Sequence, residues 1–328
     1  MKMIAFSVEK SERALFERFA AEFNVELTMV EEKPGLQNTY LTQGMDCINV
    51  LSAVVLTKEM WDAYGANGVK AAVTRTIGVE HMNREYAASI GIPVRNITYS
   101  PASVADSAIM MMLMSLRNVK AALSRYVGQD YTVSGLRGRE MHNMTVGIIG
   151  GGPIARTVAA QLRGFGCRIV YWNRTKRPEM DALAEYLPRN ALLGSSDILT
   201  LHIASNDETY HFLNRETIAQ MKPGAVLVNT ARGPLVDSDA LIDALESGHL
   251  GGAALDVFDG DRYIYYRDHK NKVISQRQMA ILNAMPNVLM MQHLAYYTDQ
   301  AVEDMVKNSI LAGLDAVNQA EGHRQSLE

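Results

Sequence analysis

The chain has 328 residues, a formal net charge of −4 and 48% hydrophobic residues. This length exceeds one ordinary core and predicts two domains, and the charge offers nothing to attract nucleic acid or an anionic membrane. The two cysteines, Cys47 and Cys167, suit neither a disulfide framework nor a zinc site. We therefore expect no metal and a reducing, cytoplasmic setting. The N-terminus reaches Glu9 after a short apolar start, unlike a signal peptide.

Residues 1–100 alternate between strand and helix patterns. The predicted strands are Met3–Val8, Val25–Val30, Cys47–Leu51, Ala71–Thr74 and Val94–Asn96. The predicted helices are Ser11–Phe23, with Ser11 as N-cap, Lys58–Tyr64 and Arg84–Ile90. The loop Arg75–His81 follows a strand at its carboxyl end, where α/β proteins bind ligands.

A long apolar helix is predicted next, over Ser103–Tyr126, after the turn-forming Ser100-Pro101. Its apolar run Ala108–Leu116 is too short to span a bilayer and indicates a buried helix. Such a helix can join two domains or form the surface of a homodimer, which is the assembly we expect.

A glycine turn follows the predicted strand Thr145–Ile149. Gly150 allows a tight turn, Gly152 lets the backbone approach a pyrophosphate, and Ala155 occupies the third position of the pattern. The helix that starts at Pro153 and Ile154 would point unpaired amides at the phosphates. The alternative is a purely structural turn in an α/β sheet.

Beyond this turn the alternation continues and predicts a parallel, doubly wound sheet. The predicted strands are Arg168–Trp172, Asp197–His202, Ala225–Asn229, Gly252–Val257 and Asn287–Met291. The predicted helices are Arg215–Met221, Ser238–Glu246, which Gly248 closes, and Thr298–Val317. The last helix lies too far along the chain to complete this sheet, and we expect it to return to the first domain.

Three reactive side chains follow strands of this sheet. His293 has the chemistry of an acid near neutral pH, Asp261 that of a partner for the imidazole, and Arg232 that of a carboxylate clamp. Together they suit hydride transfer to a carbonyl next to a carboxylate. The alternatives are a surface ion pair, a solvated loop charge and a strand-end histidine.

The choice of cofactor depends on the end of the second strand after the glycine turn. An acidic residue that binds the adenosine ribose is usual there, but this chain has Asn173 and Arg174, and no carboxylate before Glu179. Both residues suit a 2′-phosphate, so we predict NADPH in preference to NADH. The alternative is a solvated basic loop in an NADH enzyme.

Several longer motifs resemble the D-2-hydroxyacid dehydrogenase family, closest to its D-lactate dehydrogenase and VanH-type branch. The resemblance covers nearly the whole chain. The motifs are TRTIG at 74–78, YSPASVAD at 99–106, MTVG at 144–147, RGFGC at 163–167, NTARGPLVD at 229–237, GGAALDV at 251–257, MPNV at 285–288 and HLAYYT at 293–298.

The resemblance implies two α/β domains with doubly wound parallel sheets. A Rossmann cofactor domain, residues 102–296, is inserted in a flavodoxin-like substrate domain, residues 1–101 and 297–328. It also implies a cleft that closes on a 2-oxo acid, which is reduced to the (R)-2-hydroxy acid.

Individual roles follow from the same resemblance. Arg232 matches the carboxylate-binding arginine, Asp261 the acidic partner and His293 the acid/base histidine. The substrate positions are Ile77, Gly78, Tyr99 and Tyr296, with core packing as the alternative for both tyrosines. The cofactor positions are Gly150, Gly152, Pro153, Ile154, Asn173, Arg174, His202, Ala204, Thr230, Ala231 and Asp256.

The chain departs from the family pattern at three positions. Asp261 replaces a glutamate and is one methylene shorter, Gln292 replaces a proline before the histidine, and Ala204 replaces a proline after His202. These departures bear on pocket shape and rate, since every catalytic group is kept.

Substrate size and function class stay open at this point. Small Ser52 and Ala53 suit a side chain larger than methyl, with pyruvate as first choice and branched or aromatic 2-oxo acids close behind. The alternatives are a nicotinamide-sensing corepressor on the same fold and a phosphite- or formate-type dehydrogenase.

Overall fold

The computed structural model describes residues 1–52 and 54–325, and for residues 322–325 it describes the backbone alone. The prediction for Ala53 therefore lies outside the described residues. The chain divides into two compact units, Met1–Ser100 with the segment from Tyr297 onward, and Pro101–Tyr296. Among the described residues, no helix is both long and apolar enough to cross a membrane.

Strands and helices alternate along the described chain. The strands are β1 (Lys2–Ala5), β2 (Glu26–Met29), β3 (Cys47–Val50), β4 (Ala71–Thr74), β5 (Val94–Arg95), β6 (Thr145–Ile149), β7 (Arg168–Trp172), β8 (Glu185–Tyr186), β9 (Ile198–Leu201), β10 (Ala225–Asn229), β11 (Leu250–Leu255) and β12 (Val288–Met290). The helices are α1 (Arg13–Glu22), α2 (Lys58–Ala66), α3 (Arg84–Ser89), α4 (Pro101–Leu116), α5 (Val119–Val127), α6 (Pro153–Leu162), α7 (Pro178–Asp181), α8 (Arg189–Ser195), α9 (Arg215–Ala219), α10 (Ser238–Glu246), α11 (Arg277–Ala284) and α12 (Asp299–Gln325).

The first unit is built on a parallel sheet with the strand order β2-β1-β3-β4-β5. This is the flavodoxin-like order that was expected. Strands β3 and β4 are buried throughout, as is typical of parallel strands that helices cover on both faces. Helix α12 packs against β3, β4, β5 and α1, so the prediction that the C-terminal helix returns to the first unit is confirmed.

The second unit is built on a parallel seven-stranded sheet with the order β12-β11-β10-β9-β6-β7-β8. Strand β6 pairs with β7 on one side and with β9 on the other, which is the switch point of a Rossmann sheet. Apolar clusters cover both faces of this sheet. The predicted doubly wound architecture is confirmed, and the switch point places the glycine turn at the carboxyl edge.

The single helix predicted over Ser103–Tyr126 is wrong, because the chain forms two helices there. Asn118 adopts a left-handed conformation with φ of 51°, and its side-chain amide donates to the Arg137 carbonyl at 3.1 Å. A left-handed residue interrupts the helical hydrogen-bond ladder, and asparagine tolerates it well. The residue pattern does not predict this break, because helix-compatible residues continue on both sides of it.

The predicted N-cap of the first helix is also wrong. The N-cap is Glu12 rather than Ser11, and no side chain caps the helix. The Glu12 carboxylate instead accepts the Glu9 amide at 3.0 Å. The short elements β8, α7, α8 and α11 lie in segments for which no element was predicted. Each has at most eight residues, too few for a clear hydrophobic period.

Candidate active site

The glycine turn after β6 has a backbone that only glycine fits. Gly150 has a φ of +125°, and a Cβ there would lie 2.3 Å from the His202 carbonyl oxygen. Its amide donates to the Trp172 carbonyl at 2.8 Å, which ties the turn to the end of β7. At Gly152 a Cβ would meet no atom within 4 Å. The turn therefore leaves open space in front of α6.

Helix α6 begins at this open space with its N-terminal amides unopposed. Gly152 is the N-cap, Pro153 takes the first helical position, no side chain caps the helix, and the first turn has no acidic residue. Ala155 is fully buried and brings the helix close to the sheet. The amide of Ile154 lies in this first turn. The arrangement fits a dinucleotide pyrophosphate, which binds to helix amides in this way.

The end of β7 is occupied by interactions within the protein. The Asn173 side-chain amide donates to the Thr175 carbonyl at 2.7 Å. Arg174 is 80% exposed and forms an ion pair with Glu208, with 2.5 Å between Nη1 and Oε2. Arg177 lies against the glycine turn, where its Cγ would be 2.7 Å from a Cβ on Gly151. A cofactor phosphate at Arg174 would therefore compete with Glu208.

The end of β9 carries His202 in a neutral setting. Burial lowers the pKa of His202 to about 4, and its Nε2 lies 2.9 Å from the Thr200 hydroxyl. Ala204 is exposed, and its carbonyl accepts the Thr209 hydroxyl at 2.8 Å. Because His202 is uncharged near neutral pH, this edge of the sheet is polar but neutral.

The loop after β10 contains a buried hydroxyl group that lacks a partner. The Thr230 Oγ1 atom is buried and has no hydrogen bond to any described residue. Buried Asn229 organises the loop, since its side chain accepts the Ala231 amide at 3.0 Å and donates to the Arg232 carbonyl at 2.9 Å. A buried polar atom without a partner is costly. Thr230 thus fits a loop that a ligand completes, and Asn229 is an organising residue that sequence reasoning missed.

Arg232 and Asp261 lie on loops that pack tightly together. A Cβ on Gly233 would lie 2.0 Å from the Phe258 carbonyl oxygen. Burial raises the pKa of Asp261 to about 6, against the opposing effects of the Phe258 amide and the Arg232 charge. Only glycine allows this approach, so the sequence pattern Arg-Gly serves to bring the guanidinium near the carboxylate.

Asp256 holds the turn that carries His293. Its carboxylate accepts the amides of Leu294 at 2.9 Å and Ala295 at 3.0 Å, and its carbonyl accepts the His293 amide at 2.8 Å. Asp256 is 1% exposed, and burial raises its pKa despite these bonds. His293 itself has a φ of 57°, which is uncommon outside glycine. Asp256 therefore fixes the position of the backbone that carries the His293 imidazole.

Two tyrosines surround the histidine. The Tyr266 hydroxyl donates to the His293 carbonyl at 2.8 Å and is hydrogen-bonded to the Tyr296 hydroxyl. The ring centroids of Tyr266 and Tyr296 lie 5.8 and 6.4 Å from that of the imidazole. Burial raises the pKa of Tyr266, and the charges of Asp256 and Asp261 add to this shift. The sequence leaves open whether Tyr266, in the aromatic loop Tyr263–Tyr266, contributes to the site or only packs, and the structure shows that it contacts His293.

The loop after β4 in the first unit presents backbone groups. The carbonyl of Ile77 accepts the Asn96 side-chain amide at 2.8 Å, and that of Gly78 accepts the Thr76 hydroxyl at 2.6 Å. Tyr99 is half-buried beyond β5. In the part of the chain that the structure describes, no group of three or more His, Cys, Asp or Glu residues is placed to hold a metal ion.

Comparison with known proteins agrees with this geometry. Residues 109–295 match the family model for the D-isomer specific 2-hydroxyacid dehydrogenase NAD binding domain. The chain is 38% identical over 310 residues to a D-specific alpha-keto acid dehydrogenase of Enterococcus faecium, covering 94% of this chain and 95% of that one. It is 32% identical over 313 residues to an aromatic 2-oxoacid reductase of Clostridium sporogenes, covering 95% of each.

A solved structure also superimposes on nearly the whole chain. The crystal structure of a D-lactate dehydrogenase from Treponema pallidum matches with a TM-score of 0.89 and 29% identity, covering 97% of each chain. The predicted resemblance is confirmed by both kinds of comparison. The chain belongs to the D-isomer specific 2-hydroxyacid dehydrogenase family.

Proposed function

We propose that the protein reduces a 2-oxo acid to the (R)-2-hydroxy acid with a nicotinamide cofactor. The observation that carries the proposal is the carboxyl edge of the second sheet. The open glycine turn, the Arg232–Asp261 pair and the rigid His293 turn all follow strands of this one sheet. Enterococcal and clostridial relatives named for 2-oxo acid substrates support the same reaction.

Each group has a defined task in this proposal. Arg232 binds the substrate carboxylate through its planar fork and polarises the adjacent carbonyl, and the amides of Ile77 and Gly78 also bind the carboxylate. When bound, the nicotinamide supplies a hydride to the carbonyl carbon. His293 donates a proton to the carbonyl oxygen. Asp261, ionised above a pH of about 6, favours the protonated imidazole.

Tyr99 and Tyr296 line the substrate site in this proposal, and pyruvate or a larger branched or aromatic 2-oxo acid is the substrate. The test is kcat/KM over pyruvate, 2-oxobutyrate, branched and aromatic 2-oxo acids with both NADH and NADPH. We expect turnover of at least one acid, with the (R)-2-hydroxy acid as product. No turnover with any of them would refute the proposal.

We further propose that the cofactor is NADPH in preference to NADH. The phosphates lie on Gly150, Gly152 and α6, and the 2′-phosphate lies near Asn173 and Arg174. Support comes from the absence of a carboxylate at the end of β7 and from the exposed guanidinium there. Opposing it, Glu208 must release this guanidinium before it can bind the phosphate.

The ion pair at Arg174 makes the cofactor preference testable. Glu208→Gln should raise the kcat/KM ratio of NADPH to NADH by about threefold, and Arg174→Gln should lower it by about as much, because exposed ion pairs are weak. The matched control is Arg168→Gln, which breaks the exposed Arg168–Glu185 pair at the other end of β7. Unchanged ratios in both test variants would contradict the NADPH proposal.

We also propose that the protein is a homodimer through the surface of α5. This helix has no buried residue, and the side chains of Leu123, Tyr126 and Val127 are 59, 67 and 85% exposed. Contiguous exposed apolar groups are typical of association surfaces. Light scattering should give twice the chain mass, and Val127→Asp should shift it toward the monomer.

A further inference from the structure

We propose that Thr76 and Asn96 are positioning residues that aim a row of backbone amides at the substrate carboxylate. The row consists of the amides of residues 77–79, in the loop after β4. The inference rests on the proposed function for the identity of the carboxylate. It extends the site to a third amide and to two side chains that do not touch the substrate.

The carbonyl groups of this loop are held one after another. The Thr76 carbonyl accepts the Ile97 amide at 3.3 Å, the Ile77 carbonyl accepts the Asn96 side chain at 2.8 Å, and the Gly78 carbonyl accepts the Thr76 hydroxyl at 2.6 Å. Three successive peptide groups thus have their oxygen atoms fixed. A rotation of any of these peptides would break a hydrogen bond.

Because each peptide group is planar, fixing its carbonyl group also fixes the amide of the next residue. In a planar trans peptide the N–H points away from the C=O of the preceding residue. Holding the carbonyls of Thr76, Ile77 and Gly78 therefore directs the amides of the residues that follow them. No described residue accepts a hydrogen bond from the amides of Ile77, Gly78 or Val79. Backbone amides that have no acceptor within the protein are available to an anion.

A buried network supports Thr76 from behind. Its hydroxyl lies 2.8 Å from that of Thr74, which in turn lies 2.9 Å from His81 Nε2. Thr74 is fully buried and His81 is 1% exposed. Buried networks of this kind rigidify the groups that they hold. The Thr76 hydroxyl is therefore fixed on one side by the core and fixes the Gly78 carbonyl on the other.

The chemistry explains why the holding groups are neutral. A carboxylate in place of either holding group would repel the substrate carboxylate, and an ionised carboxylate could not donate to a carbonyl group. A hydroxyl group and a side-chain amide satisfy the carbonyls without either effect. Amide dipoles held in advance bind an anion without paying for reorganisation when it arrives.

The test uses Thr76→Val and Asn96→Ala, with Thr76→Ser as the conservative variant and Thr28→Val as the matched control. Thr28 lies exposed on β2 of the same unit, and its hydroxyl makes no hydrogen bond to a described residue. For each variant we would measure the thermal midpoint, KM and kcat for the best 2-oxo acid, and the Kd of the cofactor. Calorimetric titration with oxamate, in the presence of cofactor, measures carboxylate binding without turnover.

Thr76→Val and Asn96→Ala should each raise KM and the oxamate Kd by about tenfold, the effect of misaligning a hydrogen bond to a charged group. The cofactor Kd should stay unchanged, and Thr76→Ser should restore the oxamate Kd. Wild-type oxamate Kd values in both test variants would overturn the inference, as would an equal change in Thr28→Val. Wild-type protein that binds oxamate but reduces no 2-oxo acid would refute the proposed function alone.

Discussion

The carboxyl edges of the two sheets present different chemical groups. In the first unit the loop after β4 presents backbone amides, held by neutral side chains and a buried network. In the second unit the loops after β10, β11 and β12 present a guanidinium, a carboxylate of raised pKa and an imidazole. Fixed dipoles bind an anion at any pH, whereas proton transfer needs groups that titrate. In the proposed function the titrating groups of the second unit carry out the proton transfer, whereas the first unit contributes fixed dipoles.

The same contrast divides the two aspartates of the second unit. Asp256 is buried and accepts two backbone amides, so it acts on the backbone. Asp261, five positions later, lies beside Arg232 and has a pKa of about 6, so it can respond to pH near neutrality. Both are carboxylates after β11, and their partners distinguish a group that holds the backbone from the proposed reactive group.

The sharpest test of the division removes the imidazole. His293→Ala should lower kcat by about 10³-fold, the usual range for a general acid, and leave the cofactor Kd unchanged. The matched control is His142→Ala, an exposed histidine ahead of β6. Kinetics and cofactor titration check both values. Equal losses of turnover and cofactor binding would indicate that His293 has a structural role and is not the general acid.

The guanidinium should come next in effect. Arg232→Lys keeps the charge but removes the planar fork, and we expect kcat/KM to fall by about 10²-fold. Arg262→Lys is the control, because Arg262 is exposed and adjacent to Asp261. Comparing the steady-state kcat/KM of the two variants measures the contribution of the planar guanidinium group of Arg232. A wild-type rate in Arg232→Lys would show that charge without geometry is sufficient.

The structural aspartate should have a smaller effect. Asp256→Asn retains one acceptor for the two amides of Leu294 and Ala295, and the turn shifts. We expect kcat to fall on the order of tenfold, as for a displaced catalytic group. The pH dependence of kcat should keep its shape, since Asp256 does not take part in the proton transfer. A displaced acidic limb would instead make Asp256 a titrating member of the site.

In its ionised form, Asp261 should destabilise the folded protein near neutral pH. Its pKa is raised from 3.8 to about 6, so ionisation is harder in the folded protein than in the unfolded chain. Stability from the protonated form is complete below pH 3.8 and is lost as the pH rises through about 6. Asp261→Asn should therefore raise the unfolding free energy at pH 7 by about 1–2 kcal/mol, while activity falls.

Denaturant titrations of this variant at pH 7 and pH 4 provide the measurement. The gain over wild type should shrink between pH 6 and pH 4, because the wild-type carboxylate takes up its proton there. Asp259→Asn, two positions earlier, is the control. A gain at pH 7 that is absent, or the same at both values of pH, would contradict a strained ionised Asp261.

Prediction from sequence succeeded where a local period or a local turn decides the structure. Strands β4, β7 and β10 were predicted with their observed bounds, because parallel strands buried on both faces read as continuous apolar runs. It failed at Asn118, because one left-handed residue leaves no mark in a helical period. It also missed the role of Asn229, whose side chain holds the Ala231 amide and the Arg232 carbonyl, because a motif does not reveal which of its side chains hold the backbone.

The amino-acid sequence alone determined the two α/β sheets, the glycine turn and the candidate reactive groups, because each depends on residue type and short spacing. Only the tertiary structure decided that burial raises the pKa of Asp261, that Arg174 pairs with Glu208, and that the carbonyl groups of Ile77 and Gly78 are held by side chains. These properties come from burial, ion pairs and hydrogen bonds between distant segments. Residue spacing does not predict these interactions, since the distant segments meet only when the strands align in the folded sheet.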